Sequence, residues 1–246
     1  MSRLPNKKIT TTIPGVKFWH KMPLNDGTFT DGDKDVLDSC QDHLWSSLNL
    51  KGSTVLDAGC WDGGFSFLAE KAGATRVVSM DRADTRGGIP GTSGYHFLHA
   101  HYASKCEYLD HNIYTCHEVL REREFDVVLG YGILYHMSDP LLSLRNLFRV
   151  CDKQIVFEGV WYRSQTPLLH FKLSKNIRGA KSDKSFVYAP SIGFMKDVAA
   201  IYGFKLAGTH YGARRQSDNK YIRGSLLFER FSSAEQVTIP DRVFPV

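Results

Sequence analysis

The stretch VLDAGCWDGG at residues 55–64 places an aspartate and three glycines directly after a short apolar run. One explanation is a tight strand-to-helix turn, because such turns need positive φ angles that glycine adopts readily. The other is a ligand that lies against the turn and meets free backbone N–H groups at a helix N-terminus. A second acid, Asp81, follows Asp57 by 24 residues, about the spacing at which a carboxylate binds the hydroxyls of a ribose. The two acids together favour the ligand.

Other residues that could do chemistry are weaker candidates. His96, His99 and His101 lie close together, but only the first two share a helix face and no cysteine or carboxylate completes a ligand set. We therefore predict no metal site. Cys60 could act as a nucleophile or as a small packing residue. An odd number of cysteines without a C-x-x-C motif indicates reduced thiols in a cytoplasmic protein; they are Cys40, Cys60, Cys106, Cys116 and Cys151.

Strand and helix patterns alternate along most of the chain. Apolar runs predict strands at 53–58, 75–80, 107–110, 126–130, 154–158, 205–209 and 225–230. Helical spacing and caps predict helices at 65–72, 95–104, 140–150 and 191–202. This alternation predicts an α/β fold, an open doubly wound sheet with helices on both faces. In such sheets ligands bind outside the carboxyl ends of the strands, which is where the glycine turn lies.

Length and composition are those of an ordinary globular protein. Of the 246 residues, 42% are hydrophobic and 23% are charged, with a net charge of +5. No apolar run approaches the roughly 20 residues of a membrane span, and the first residues lack a signal-peptide stretch. We predict a cytoplasmic protein without membrane contact and a single domain, 1–246. Its parts are an N-terminal arm or lid (1–50), a cofactor-binding core (51–160), a basic substrate-side insertion (161–190), and a C-terminal helix with closing strands (191–246).

The glycine turn lacks the G-x-G-x-x-G pattern of dinucleotide-binding proteins. Its Asp-x-Gly-Cys-x-x-Gly pattern resembles the first motif of class I methyltransferases that use S-adenosylmethionine. In that resemblance Asp57 and Gly59 hold the methionine end, Asp81 binds the ribose, and Asn112-Ile113 flank the adenine. The resemblance implies a Rossmann-like class I methyltransferase fold with S-adenosylmethionine as its cofactor. The implied cofactor-binding residues are Asp57, Gly59, Cys60, Trp61, Gly63, Asp81, Arg82, Asn112, Ile113 and Tyr131; at Trp61 the motif usually has glycine.

Three longer stretches resemble a narrower family, the tRNA wobble-uridine methyl- and carboxymethyltransferase-like proteins. They are residues 18–35, 59–81 and 125–144, and the most specific part is Leu-Tyr-His-x-x-x-Pro at 134–140. The tRNA-modifying member of that family has a sizeable region before the cofactor motif, whereas this chain has only about 50 residues there. The resemblance therefore does not carry the tRNA substrate over by itself.

Methyl transfer from a sulfonium is an in-line displacement, so the enzyme chiefly positions the acceptor. A hydroxyl acceptor needs a base, and His136 after the fourth strand is the catalytic candidate, with a histidine bonded to the loop backbone as the alternative. Tyr135, like Tyr131, could line the acceptor site or pack as an aromatic wall. Glu158 could be a second base or a salt-bridge partner.

Two further segments could meet the acceptor. Trp19-His20 in the N-terminal arm could fold over the site as a lid or pack on the sheet edge. Basic residues also recur at every third position after the fifth strand, which suggests either contact with phosphate or a solvated surface; they are Lys172, Lys175, Arg178, Lys181 and Lys184. The predicted substrate-binding residues are Trp19, His20, Tyr135, Glu158, Lys175 and Arg178.

From these residues and resemblances we predict an S-adenosylmethionine-dependent methyltransferase. The favoured acceptor is an anionic small molecule, such as a nucleotide-linked or phosphorylated sugar, methylated on oxygen. The alternatives are methyl or carboxymethyl transfer to a tRNA wobble uridine, and a cofactor-binding protein without catalysis. The sequence does not indicate an oligomeric state.

Overall fold

The computed structural model describes residues 8–37, 44–82, 85–86, 89–90, 92–173, 186–212 and 220–232. The chain divides into two compact units, Met1–Asn112 (unit 1) and Ile113–Val246 (unit 2). Cys40 and four of the predicted basic residues, Lys175, Arg178, Lys181 and Lys184, lie outside the described residues. Among the described residues, no helix is long and apolar enough to cross a membrane.

Unit 1 contains three parallel strands in the order β1-β2-β3: β1 (Thr54–Ala58), β2 (Arg76–Asp81) and β3 (Glu107–Asp110). Helix α1 (Gly64–Lys71) follows β1, and helix α2 (Ser93–His101) precedes β3. The middle of β1 and β2 is buried without interruption, as expected for parallel strands covered on both faces. Because β1 and β2 pair in parallel, their carboxyl ends lie beside each other at the same end of the strands.

The arm before β1 is built from very short strands. Thr10–Thr11 pairs with Phe29–Thr30, and His20–Lys21 pairs with Lys34–Asp35, both in parallel. Met22 and Val36 are almost completely buried, so the arm has packed contacts rather than lying loose on the surface. The other short elements of unit 1 are the 3-10 helix Trp45–Ser47 and the strand pair Thr85–Arg86 and Ile89–Pro90.

Unit 2 contains four strands that pair in the order β8-β9-β5-β4 and a separate two-stranded hairpin. Strands β4 and β5 are parallel, whereas β9 runs antiparallel to both β5 and β8. The strands are β4 (Phe125–Tyr131), β5 (Cys151–Tyr162), β6 (Leu169–Leu173), β7 (Phe186–Pro190), β8 (Phe204–Tyr211) and β9 (Tyr221–Arg230). The helices are α3 (Pro140–Val150), α4 (Ile192–Ile201) and the 3-10 turns Cys116–Glu118 and Leu134–His136.

Both α-helices of unit 2 begin at the predicted caps. The Asp139 carboxylate accepts from the Leu142 N–H at 2.9 Å, and Pro140 occupies the first turn of α3. The Ser191 hydroxyl accepts from the Phe194 N–H at 3.0 Å and starts α4. These side chains satisfy N–H groups that the first helical turn leaves without a partner.

The predicted fold class is confirmed, since a large, mostly parallel sheet is combined with helices and no closed barrel forms in the described residues. Strand β5 is longer than predicted, because it pairs with β9 without a break from Gln154 to Tyr162. The hairpin β6-β7 was not predicted; its two strands flank residues 174–185 of the predicted insertion, which lie outside the described residues.

Candidate active site

The glycine turn after β1 requires its unusual backbone. Gly59 and Gly63 have φ angles of +76° and +79°, and Trp61 between them has +53°. A non-glycine residue in this region costs about 1–3 kcal/mol, so other contacts must hold Trp61 there. A Cβ on Gly63 would lie 2.7 Å from ring atoms of Phe67 and Tyr95. Glycine is therefore needed at 63 for packing as well as for conformation.

The amide groups of the turn are already used inside the protein. The N–H groups of Gly59 and Cys60 both donate to the carbonyl oxygen of Met80, at 2.8 and 3.2 Å. The Trp61 N–H donates to a carboxylate oxygen of Asp81 at 2.7 Å. The expectation that these amides are free to meet a ligand is therefore wrong for these three residues, because the turn folds back over the end of β2. We therefore expect side chains to contribute more to ligand binding at this turn than the sequence suggested.

Two carboxylates lie at or next to the carboxyl ends of neighbouring strands of unit 1. Asp57 is buried in β1 and accepts a hydrogen bond from the Ser66 hydroxyl at 2.6 Å. Burial raises the pKa of Asp57 to about 6, and the nearby Asp81 contributes to raising it. Asp81 is held by two backbone donors, the Trp61 N–H and the Arg82 N–H at 2.8 Å. This arrangement keeps one carboxylate buried and places the other at the strand end.

A third acid, Asp62, joins the turn to the N-terminal arm. It is fully buried, and one of its carboxylate oxygens accepts from the backbone N–H groups of Trp19 (2.7 Å) and His20 (2.8 Å). The other oxygen pairs with the His20 imidazole Nδ1. The His20 carbonyl oxygen in turn accepts from the buried hydroxyl of Thr30 at 2.6 Å. The sequence offered one sign of this role, a carboxylate inside the glycine turn, and our prediction of the site missed it.

Three glycines of unit 1 make room for this contact. A Cβ on Gly32 would lie 2.3 Å from the backbone of His20, and one on Gly64 would lie 2.8 Å from the His20 ring. A Cβ on Gly94 would lie 2.7 Å from the carbonyl oxygen of Lys17. Such distances are too short for real Cβ contacts. The arm is thus packed closely on itself, on the start of α1 and on the start of α2.

The two predicted lid residues differ in exposure. His20 is buried, whereas Trp19 is 47% exposed and its ring lies 6.3 Å from the ring of Trp61. The structure brings Trp19 and His20 to the cofactor turn, and their action as a lid stays a prediction.

Unit 2 contains a polar cluster where β5 and β9 run side by side. Glu158 of β5 is fully buried and accepts two hydrogen bonds from the Arg223 guanidinium of β9, at 2.6 and 3.2 Å. Burial alone would lower the pKa of Arg223, but the Glu158 carboxylate raises it, so the guanidinium stays charged. Arg223 also lies over the Tyr135 ring, 5.7 Å from its centroid, and burial raises the pKa of Tyr135. We name Glu158, Arg223 and Tyr135 the Glu158–Arg223 cluster.

His136 lies beside this cluster in the chain. It ends the 3-10 turn Leu134–His136, its backbone N–H donates to the Ile133 carbonyl oxygen at 2.9 Å, and its ring is 4.2 Å from the Tyr135 ring. Tyr131, predicted to touch the cofactor, is buried at the end of β4. The catalytic role of His136 stays a prediction.

The remaining predicted residues have simpler surroundings. Asn112-Ile113 follow the end of β3, and the Ile113 carbonyl oxygen accepts from the Asn146 side chain at 3.0 Å. Cys60 is buried, and burial with the neighbouring Asp57 raises the pKa of its thiol well above the usual value, which argues against a nucleophile. Within the described part of the chain, no group of three or more His, Cys, Asp or Glu side chains could hold a metal ion.

Comparison with known proteins identifies relatives by sequence. No family model matches the chain. The tRNA U34 carboxymethyltransferase of Sulfurimonas denitrificans is 26% identical over 151 residues, which are 61% of this chain and 48% of that protein. The protein of the same name from Campylobacter hominis is 25% identical over 137 residues, 52% of this chain and 46% of that protein. The chain thus spans about half the length of the curated relatives it matches.

Solved structures with the same fold cover more of the chain. Magnesium protoporphyrin IX methyltransferase from Synechocystis PCC 6803, with bound S-adenosylmethionine, aligns with a TM-score of 0.54 and 18% identity over 79% of this chain and 78% of that one. The N-terminal domain of EvdMO1, with bound S-adenosylhomocysteine, aligns with a TM-score of 0.63 and 14% identity over 89% and 92%. These comparisons confirm the predicted class I methyltransferase fold, and by sequence the chain resembles tRNA U34 carboxymethyltransferases.

Proposed function

We propose that the protein transfers a group from a sulfonium cofactor to the wobble uridine of a tRNA, either the methyl group of S-adenosylmethionine or the carboxymethyl group of its S-carboxymethyl analogue. The observation that carries this proposal is the sequence similarity to tRNA U34 carboxymethyltransferases, which extends over 61% of the chain in one relative. It replaces the small-molecule acceptor that we favoured from the sequence, because the relatives in Sulfurimonas denitrificans and Campylobacter hominis are named for a tRNA acceptor. A tRNA acceptor also implies a cytoplasmic location.

The residues of unit 1 suit the cofactor chemically. S-adenosylmethionine has a cationic methionine end and a ribose with two hydroxyl groups. Asp57, with a pKa of about 6, is mostly ionised at neutral pH and would attract the cationic end. Asp81 is a hydrogen-bond acceptor whose position two backbone donors maintain, as the ribose hydroxyls require. When bound, the cofactor would supply the electrophilic carbon, and the protein would hold it by these two acids.

The Glu158–Arg223 cluster and the neighbouring His136 offer the groups that an RNA acceptor needs. His136 is the candidate base that would take a proton from the acceptor atom. Arg223 is a charged donor whose side chain is 43% exposed, so it can meet an anionic group while Glu158 holds it in place. A carboxymethyl group carries such an anion and a methyl group does not, so Arg223 offers a way to tell the two reactions apart.

The experiment is a transfer assay with nucleoside identification. Purified protein is incubated with unmodified tRNA and either labelled S-adenosylmethionine or its S-carboxymethyl analogue, and the tRNA is digested for mass spectrometry. We expect a labelled wobble uridine. Label in small molecules of a cell extract, with none in tRNA, would overturn the proposal in favour of an anionic small-molecule acceptor.

Two variants assign the roles within that assay. His136→Ala should lower kcat by about 10²–10⁴ while cofactor affinity is unchanged, since a general base acts only in the chemical step. Arg223→Lys keeps the charge but loses the paired geometry, and it should slow carboxymethyl transfer more than methyl transfer. Wild-type turnover of His136→Ala would show that this histidine is structural.

A further inference from the structure

Unit 2 also contains a group of three packed aromatic rings that has no role in the proposed reaction. Tyr162 ends β5, His170 lies on β6, and Tyr221 begins β9. The His170 ring is parallel to the Tyr162 ring, with 5.3 Å between centroids and 6° between planes. The Tyr221 ring meets both edge-on, at 5.6 and 5.5 Å, and its hydroxyl bonds to His170 Nδ1 at 2.9 Å. We name these three residues the aromatic ledge.

Backbone pairing holds the ledge in place without a ligand. Tyr162 and Tyr221 are direct partners in the β5-β9 pairing, and the Arg163 N–H donates to the Lys220 carbonyl oxygen at 2.8 Å. His170 is fixed on β6 by the hairpin with β7, where it pairs with Ala189. Because the rings are already ordered, binding a group on them costs little further conformational entropy.

The ledge is partly exposed, and basic residues adjoin it in the chain. His170, Arg163 and Lys220 are exposed, and the two basic residues are the chain neighbours of Tyr162 and Tyr221. In sequence, residues 159–173 and 220–228 contain arginines and lysines but no aspartate or glutamate. Aromatic rings beside basic side chains form the combination that binds single-stranded nucleic acid, since bases stack on rings and phosphates meet cations.

We propose that the aromatic ledge binds unpaired nucleotides of the RNA acceptor, with a base stacked on His170 and phosphates against Arg163 and Lys220. This inference rests on the proposed function, because it takes the acceptor to be RNA. An unpaired strand is the fitting occupant since a base exposes its face for stacking only when it is out of a duplex. The wobble uridine lies in such an unpaired loop, so the ledge would hold the nucleotides around it.

The test compares His170→Ala with His117→Ala, which removes an exposed histidine from another element of unit 2. The probe is a labelled anticodon stem-loop, titrated against each protein by fluorescence anisotropy, with tRNA turnover measured in parallel. We expect His170→Ala to weaken binding about tenfold and to raise KM without lowering kcat, whereas His117→Ala binds normally. His170→Phe should restore binding, since it keeps a stacking ring but loses the bond to Tyr221.

A second variant tests the charges without touching the rings. Replacing Arg163 and Lys220 with alanine should lower the slope of log affinity against log salt by about 1.4, because each phosphate of a single strand that a cation neutralises contributes about 0.7 to that slope. The matched control replaces Arg121 and Lys196, also exposed in unit 2, and should leave affinity for the stem-loop unchanged. A slope that stays the same in the Arg163 and Lys220 variant would overturn the assignment of phosphates to these two residues.

The outcomes separate this inference from the proposed function. If the wild-type protein modifies tRNA but His170→Ala has normal binding and KM, the proposed RNA binding by the ledge is wrong and the proposed function stands. If His170→Phe binds as weakly as His170→Ala, stacking is overturned. If the wild-type protein neither binds nor modifies tRNA, both fail. A wild-type unfolding midpoint for each variant shows that its effect on binding is direct.

Discussion

At its candidate site each unit contains a carboxylate with no exposed surface, and the two carboxylates are used differently. Asp62 in unit 1 accepts two backbone N–H groups and an imidazole, so it holds one stretch of chain against another. Glu158 in unit 2 accepts two hydrogen bonds from the side chain of Arg223, so it orients one functional group. We expect the first carboxylate to matter for the stability of the fold and the second for the position of one guanidinium. Mutations at the two positions should therefore differ in how much they destabilise the protein.

The largest effect is expected at Asp62. Asp62→Ala leaves the Trp19 and His20 amides without their acceptor, and loss of a buried, multiply bonded carboxylate costs about 3–5 kcal/mol of unfolding free energy. Asp62→Asn keeps an amide oxygen for the same donors and should lose clearly less. Urea denaturation measures both. A wild-type midpoint for Asp62→Ala would mean that the arm does not depend on this contact.

Asp57 gives the next effect, and it depends on pH. Its folded pKa of about 6 lies above the ordinary value of 3.8, so the folded state binds the proton more tightly than the unfolded state. The contribution of Asp57 to the free energy of unfolding is therefore largest below about pH 4. It falls by about 3 kcal/mol in total as the pH rises through 6. Asp57→Asn cannot titrate, so its stability relative to wild type should rise between about pH 4 and 6 and then level off. A difference that is constant with pH would contradict the raised pKa.

Asp81 should affect the cofactor more than the fold. Asp81→Ala removes the proposed acceptor for the ribose hydroxyls and should weaken binding of S-adenosylhomocysteine by about 1.5–3 kcal/mol, measured by calorimetry. Asp81→Asn retains one carbonyl oxygen and should lose less. Unchanged affinity in Asp81→Ala would remove this residue from the cofactor site.

Glu158 should show the smallest loss of stability. Glu158→Gln removes the charge partner of Arg223, but the exposed part of that guanidinium can be solvated, so we expect about 1–2 kcal/mol. The matched control is Glu107→Gln, which breaks an exposed pair with Arg76 and should cost less than about 1 kcal/mol. If Glu158→Gln is as unstable as Asp62→Ala, the contrast between the two carboxylates is wrong.

Much of the fold could be predicted from local patterns. Apolar runs located β1, β2 and β4 to within about two residues, and Asp139 and Ser191 marked the starts of α3 and α4 because a cap acts within one helical turn. The hairpin β6-β7 was missed because its pairing joins segments separated by residues rich in lysine and serine, which do not resemble a short hairpin turn.

The candidate site was less predictable than the strands. The acids near the carboxyl ends of β1 and β2 could be identified because each follows an apolar run. The contact of Asp62 with His20 joins positions 42 residues apart, and no local pattern encodes it. The hydrogen bonds of the turn amides could not be predicted either, because they depend on how closely the turn folds over Met80. The roles of Glu158 and His136 were left open for the same reason: a side chain's partner is set by the packed fold.

The contact between Trp19 and Trp61 gives the protein a built-in optical reporter. One indole belongs to the arm and the other to the turn, and their ring centroids are 6.3 Å apart, close enough for each to alter the emission of the other. The sequence has four tryptophans, so replacing Trp45 and Trp161 with phenylalanine would leave this pair as the only tryptophan emitters. Stopped-flow fluorescence of that protein would follow the arm in real time, without a dye or a labelled ligand.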